Sequence, residues 1–582
     1  MNAERLLKQY ERVADAPDAI ARLRCFILDL AVRGKLVPQD PNDEPASELL
    51  ARIAREKARL AKAGEIANSK NSKPVSVSEL AFSIPQNWQP VNIEDVLNEL
   101  QTGPFGSSLH QSDYRVGGTP VINPASIQNE QIVPVDKMAV DARTLQRLAS
   151  FKLRSGDIVM ARRGEMGRCA IVTDREAGWL CGTGSLILRP SRLIYARFLA
   201  LLIGSPFGRE YLGGSAVGST MQNLNQSILL NLSFGLPPLA EQHRIVAKVD
   251  ELMALCDRLE AARAAREATR DRLGVATLAR LNAPDPETFQ KDARFTLDVL
   301  PALITRPNQI KALRQTILNL AVLGKLVPQD ESDEPITFTL RKAMARRAAL
   351  VKAKKVRAKK LDDFDELAAD IELPKSWARE RLGNLVDPEN TISYGVLVPG
   401  EEVSGGIPFV RAQDLALSGH ADRPNKTIAP EIEKAYARTR LRGGEILVCV
   451  VGSIGKLGIA PQSWAGANIA RAVARIWPIP EISKEYLLIV LRGEPVQTYF
   501  TTTTRTLAQP TLNVGLIEQT PIPLPPLAEQ HRIVAKVDEL MALCDRLGAS
   551  LTGAADTRRR LLEALLAEAL APDVDRELEA AE

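Results

Sequence analysis

Histidine is scarce in this chain: His110, His243, His420 and His531 are the only four among 582 residues. None belongs to an HExxH pair or a Cys/His cluster, which removes the usual zinc shells and with them metal-assisted catalysis. Cysteine is scarce too, and Cys25, Cys169, Cys181, Cys256, Cys449 and Cys544 stand without CxxC spacing, as expected in a reducing compartment. No basic-plus-apolar leader opens the sequence, and no apolar run reaches the roughly 18–20 residues needed to cross a bilayer. The expectation is a cytoplasmic chain with no membrane segment. An excess of one charge is also lacking, since 75 basic and 71 acidic residues leave +4. Any contact with nucleic acid must come from local clustering.

Catalytic motifs are missing as well. VGSIGKLG resembles a phosphate loop, but Val450 stands where the first glycine belongs and Leu457 where Ser or Thr would hold magnesium. There is no Gly-rich cofactor loop between strand and helix, no GxSxG elbow and no Asn/Asp-Pro-Pro-aromatic motif of adenine methylation; Pro237-Pro238 lies among leucines. The chain is expected to have no catalytic residues, no metal ligands and no covalent chemistry of its own.

What the sequence does have is repetition. The 24 residues LPPLAEQHRIVAKVDELMALCDRL occur unchanged at Leu236–Leu259 and Leu524–Leu547, 288 positions apart. ILDLAVRGKLVPQD at Ile27–Asp40 returns as ILNLAVLGKLVPQD at Ile317–Asp330, 290 positions on. A period this long exceeds any solenoid unit and describes two domain-plus-connector modules. Identical surfaces suit one partner docking twice, and divergent surfaces suit two different readings; a recent copying event is the bland alternative.

The pattern divides the chain into a helical segment 1–84, a mixed domain 85–235, a helical spacer 236–373, a second mixed domain 374–523 and a helical end 524–582. After Pro237-Pro238 a proline-free stretch, Ala240–Leu281, carries Ile245, Val249, Leu252, Cys256 and Leu259 at 4-3-4-3 spacing. That is a coiled-coil seam, repeated by Ile533, Val537, Leu540, Cys544 and Leu547 and continued to about Leu570. These seam residues are the candidate partner-binding positions. Glu44–Ala67 and Glu334–Lys360 also read as helix, the second bearing Arg346, Arg347, Lys352, Lys354, Lys355, Arg357, Lys359 and Lys360 as a solvated face or a phosphate-binding one.

The two mixed segments open at Trp88 and Trp377 and share landmarks 288 apart. GDIVMARRGEMGRCAIV from Gly156 matches GEILVCVVGSIGKLGIA from Gly444, each a strand–turn–strand around Gly164/Gly167 or Gly452/Gly455. Helical patterns follow at Tyr195–Ile203 and Lys484–Leu491. Each segment is expected to be a compact α/β domain. Cations and small polar groups at turns suit phosphates and base edges, because arginine donates in a fork and hydroxyls and amides match groove atoms. The candidates are Ser107, Ser108, His110, Tyr114, Arg162, Arg163, Arg168, Gln222 and Asn223 in the first domain, with Tyr394, Arg411, Gln413 and Lys456 in the second. Each is also compatible with an ordinary loop or hairpin.

The LPPLAEQHRIV stretch after each variable domain, the tandem order, the two tryptophans and the GDIVMARRGEMG and GEILVCVVGSIG turns together resemble the specificity (S) subunit of type I restriction–modification systems, over essentially the whole length. The resemblance implies an α/β (α+β) fold: two target-recognition domains separated by long antiparallel coiled-coil helices, an internal tandem repeat with pseudo-two-fold symmetry. It implies double-stranded DNA as ligand, each domain reading half of a bipartite site, and as partners two modification (M) methyltransferase subunits and restriction (R) subunits. S-adenosylmethionine, ATP and Mg would then sit on those partners and no cofactor on this chain. A non-catalytic coiled-coil adaptor whose α/β domains bind protein is the alternative reading of the same residues.

Overall fold

Each mixed domain is built on a four-stranded antiparallel sheet whose central strands are buried at every residue but Pro190. In the first domain the order is Leu97–Thr102, Ser185–Pro190, Ile158–Ala161, Cys169–Ile171. In the second it is Ser393–Tyr394, Val473–Ile476, Ile446–Cys449, Leu457–Ile459. Strands covered on both faces need unbroken apolar runs, and IVMA and ILVC supply them. Alternation then sorts the side chains: Ile158 and Met160 enter one core with Phe198 and Phe234, whereas Val159 and Ala161 enter a second core with Ile122 and Ile187.

The structure is a computed structural model that describes residues 15–67, 73–104, 108–214, 224–283, 285, 287–358, 361, 373–504 and 510–570. They form two compact units, Met1–Arg266 with Ala555–Glu582 and Glu267–Ala554. None of the described helices is long and apolar enough to cross a membrane.

A small three-stranded sheet flanks each main sheet. Thr119–Ile122 pairs antiparallel with Ala139–Val140 and parallel with Leu180–Cys181; Ile407–Val410 does the same with Lys426–Ile428 and Asn468–Ile469. Each domain is closed at its base by its first and last strands, Gln89–Asn92 with Ser233–Leu236 and Ala378–Arg381 with Pro521–Leu524. The chain thus enters and leaves a domain side by side, and the helical segments join it there.

Two 44-residue helices follow these closing strands, Leu239–Asn282 and Leu527–Leu570, each about 66 Å long at about 1.5 Å per residue. Their seams face inward within each unit. Ile245, Val249 and Cys256 are buried with Ile27, Ala31 and Val32 of helix Ala19–Val32, and Ile533, Val537 and Cys544 with Ile317, Leu318 and Val322 of helix Ile310–Val322. Leu252, Leu540 and Leu547 are half-buried against the same cores, and Leu259 is half-buried. This corrects the assignment of the seam to partner subunits: Ile245, Val249, Ile533 and Val537 have no surface left to offer, because folding has already covered them.

The two repeated motifs meet in space, which explains why both recur. In the first unit Arg244 holds Asp43 and Glu241 accepts from Gln39 Nε2 at 2.7 Å. In the second, Arg532 holds Asp333, and buried Glu529 accepts from Gln329 Nε2 at 2.6 Å and Trp377 Nε1 at 3.0 Å. Burial pushes both glutamates above the usual carboxylate range.

The short helices Ala46–Lys62 and Ile336–Lys352 are briefer than their sequence patterns suggest. Gly64 and Lys354, at equivalent places just past each end, take left-handed φ of 72° and 54° and stop the helix there. Arg346 and Arg347 of the basic run reach Glu481 and the Gly383 carbonyl in the second domain, while Lys359 and Lys360 lie outside the described residues.

Candidate nucleic-acid interface

At one end of each main sheet the same backbone bonds gather the loops. Arg162 N donates to Gly184 O and Leu224 N to Arg162 O; 288 positions on, Val450 N donates to Ala472 O and Leu512 N to Val450 O. The glycine turns sit beside this junction. Gly164, Gly167, Gly452 and Gly455 all have φ near +80°, and a Cβ on Gly167 would lie 2.7 Å from the Ile203 carbonyl. Only glycine fits there without strain.

The scaffold is shared and the side chains on it differ. Arg162, whose Nε braces the Leu224 carbonyl at 3.1 Å, is replaced by Val450. Arg163 is exposed on the turn, and Arg168 is half-buried with no partner for its Nε among the described residues. His110 is exposed at the start of a short 3-10 turn, where its backbone N–H donates to Asp113, and the Ser108 carbonyl accepts from Arg147. Tyr114 is half-buried, its hydroxyl accepting from Asn123 at 3.5 Å. Ser107, Gln222 and Asn223 lie outside the described residues.

In the second domain Arg411, Gln413 and Lys456 come together. Arg411 forks onto Asp414 at 3.1 Å, and Lys456 Nζ donates to the carbonyls of Ala412 and Gln413 at 3.2 and 3.3 Å. Tyr394 stands elsewhere, half-buried in a cleft of about 1000 Å³, with its hydroxyl donating to Leu512 O at 3.1 Å. Burial raises its phenol pKa, so it remains a neutral donor.

That cleft is lined by Arg438, Arg440, Arg442, Arg471 and Arg475, with Glu389 as the one carboxylate among the described residues of its wall. Arg440 is held by Glu433 at 2.8 and 2.6 Å, and Arg442 lies over the Trp477 ring at 5.9 Å. Sequence reasoning missed these arginines. The available signal was a charge inside VARI, a strand otherwise built for complete burial.

The family described as "Type I restriction modification DNA specificity domain" matches residues 85–266 and again 374–551. The Type I restriction enzyme EcoAI specificity subunit of Escherichia coli is 30% identical over 94% of this chain and 93% of its own length. The Type I restriction enzyme EcoEI specificity subunit of the same species is 29% identical over 95% of this chain and 94% of its own. The EcoBI specificity subunit is 28% identical over 60% of each chain. With two matched domains on one repeated helical frame, the chain belongs to the type I restriction–modification DNA specificity family.

Proposed function

We propose that each recognition domain reads one half of a bipartite duplex site, and that the repeated helical frame seats two modification subunits whose methyl transfer it directs. The observation that carries this reading is the contrast at the loop junctions: equivalent backbone bonds hold Arg162 in one domain and Val450 in the other, above a clasp repeated in both units. A common frame with unlike faces is what two readings by one machine require. Long helices of about 66 Å supply a span larger than one duplex turn of roughly 34 Å.

The DNA-binding residues on this proposal are Arg163, Arg168, His110, Ser108 and Tyr114 in the first domain, with Ser107, Gln222 and Asn223, and Arg411, Gln413, Lys456 and Tyr394 in the second. Arg162 acts partly by bracing the Leu224 segment. The chain is a non-catalytic, cytoplasmic subunit. S-adenosylmethionine belongs to the modification subunits, and ATP and Mg to the restriction subunits.

The test replaces residues 374–523 by a second copy of 85–235 and maps adenine methylation in cells carrying the modification subunit. A methylated motif made of two copies of one half-site is expected. Retention of the original motif would refute half-by-half reading.

A further inference from the structure

Arg475 is 4% exposed and lines the second domain's cleft, yet no carboxylate among the described residues forms an ion pair with it. One Nη donates to the Arg440 carbonyl at 3.0 Å, and its Nε is buried with no partner among the described residues. Glu445, whose negative charge acts on Arg475 through space without an ion pair, is itself fully buried and accepts from the backbone N–H groups of Arg442 and Gly443. A buried guanidinium this incompletely satisfied is costly unless an anion completes it.

The first domain shows the neutralised version of the same device. Arg189, two positions further along the equivalent strand and likewise buried, donates to the Lys152 carbonyl at 3.0 Å, the counterpart of Arg440 O, but is ion-paired to Glu99 and Asp157. Positions equivalent to Arg438, Arg471 and Arg475 hold Ser150, Thr183 and Ile187. Arg438 and Arg471 are exposed at the rim of the second domain's cleft.

We infer that this cleft seats a backbone phosphate of the DNA, with Arg475 at its floor and Arg438 and Arg471 at its rim, so that the second domain carries sequence-independent grip that the first lacks. The inference rests on the proposed reading of DNA by these domains. Phosphate contacts fix register and add salt-sensitive affinity without choosing bases.

The test measures binding of the full chain, in complex with its modification subunit, to a cognate duplex and to one with a scrambled second half-site, across a series of KCl concentrations. The double variant Arg438→Ala/Arg471→Ala spares the core, and Arg475→Gln probes the floor. Expected is a loss of about tenfold or more on both duplexes alike, with the slope of log affinity against log salt shallower by about 0.9 for each phosphate no longer neutralised. Unchanged affinity and slope in the double variant would overturn the inference while leaving the domain reading intact. A loss confined to the cognate duplex would overturn it in favour of base reading. Thermal protection by inorganic phosphate that Arg475→Gln abolishes, with DNA affinity unchanged, would assign the cleft to a free anion and also overturn it. Absence of duplex binding by the unaltered complex would remove the domain reading itself.

Discussion

Arg244 grips Asp43 with both Nη atoms, at 3.0 and 2.7 Å, across 201 residues of sequence. Arg532 and Asp333 repeat the grip at 3.2 and 2.7 Å. Both aspartates are nearly buried while the arginines keep about a third of their side-chain surface in water. Arg532→Met leaves Asp333 with its charge uncompensated, and solvent access on the arginine side limits the penalty to about 1–3 kcal/mol. Urea unfolding should report that loss for Arg532→Met and a similar one for Arg244→Met. Midpoints unchanged in both variants would mean the ion pairs are ornamental.

Glu241 and Glu529 give the frame a pH dependence of defined sign. Burial, the largest influence on each, raises the folded-state pKa above the unfolded value near 4.5, so the native state binds these protons more tightly. Their contribution to stability is greatest below the unfolded pKa and declines as pH rises through the folded pKa. Glu241→Gln/Glu529→Gln should flatten this decline in stability measured across mildly acidic pH. A steeper decline in the double variant would mean the opposite sign.

Gly167→Ala and Gly164→Ala separate backbone strain from crowding. Both glycines have φ near +80°, but only at Gly167 would a Cβ strike backbone and the Arg209 side chain. Gly164→Ala is expected to cost about 1 kcal/mol from the left-handed conformation alone, and Gly167→Ala about 2–3 kcal/mol. Equal costs in thermal denaturation would show that the hairpin relaxes away from helix Ala196–Gly204.

With the seams buried, the exposed residues of the identical segment become the proposed docking surface for modification subunits. Leu255 and Leu543 are 42% and 44% exposed at equivalent positions of the long helices. Leu255→Asp/Leu543→Asp should preserve folding and reduce co-purification of the modification subunit at least tenfold. Ile245→Ala, by contrast, should cost about 2–4 kcal/mol of stability, as core truncations do. Full co-purification with the leucine double variant would move docking to another face.

Much of this architecture is legible in the sequence because periodicity and repetition record packing directly. The 4-3-4-3 seam locates the long helices nearly to the residue, and the Gly-x-x-Gly spacing locates both hairpins. Periodicity reports that Ile245 and Ile533 are covered, but it is silent on what covers them. Helices from Ala19 and Ile310, far away in sequence, occupy that side. The cleft is illegible for a related reason: Arg438, Arg471 and Arg475 come from two separate segments, and only folding brings them to one wall. Arg411 and Lys456 are individually visible, but their convergence on the loop at Ala412 and Gln413 is not.

Whether this chain selects the bases that its modification partners methylate is decided by a genome-wide adenine-methylation map of the native host, with the gene intact and with it deleted. Disappearance of one bipartite methylated motif, with all others unchanged, is the predicted result. A full set of bipartite methylated motifs persisting after deletion would contradict it.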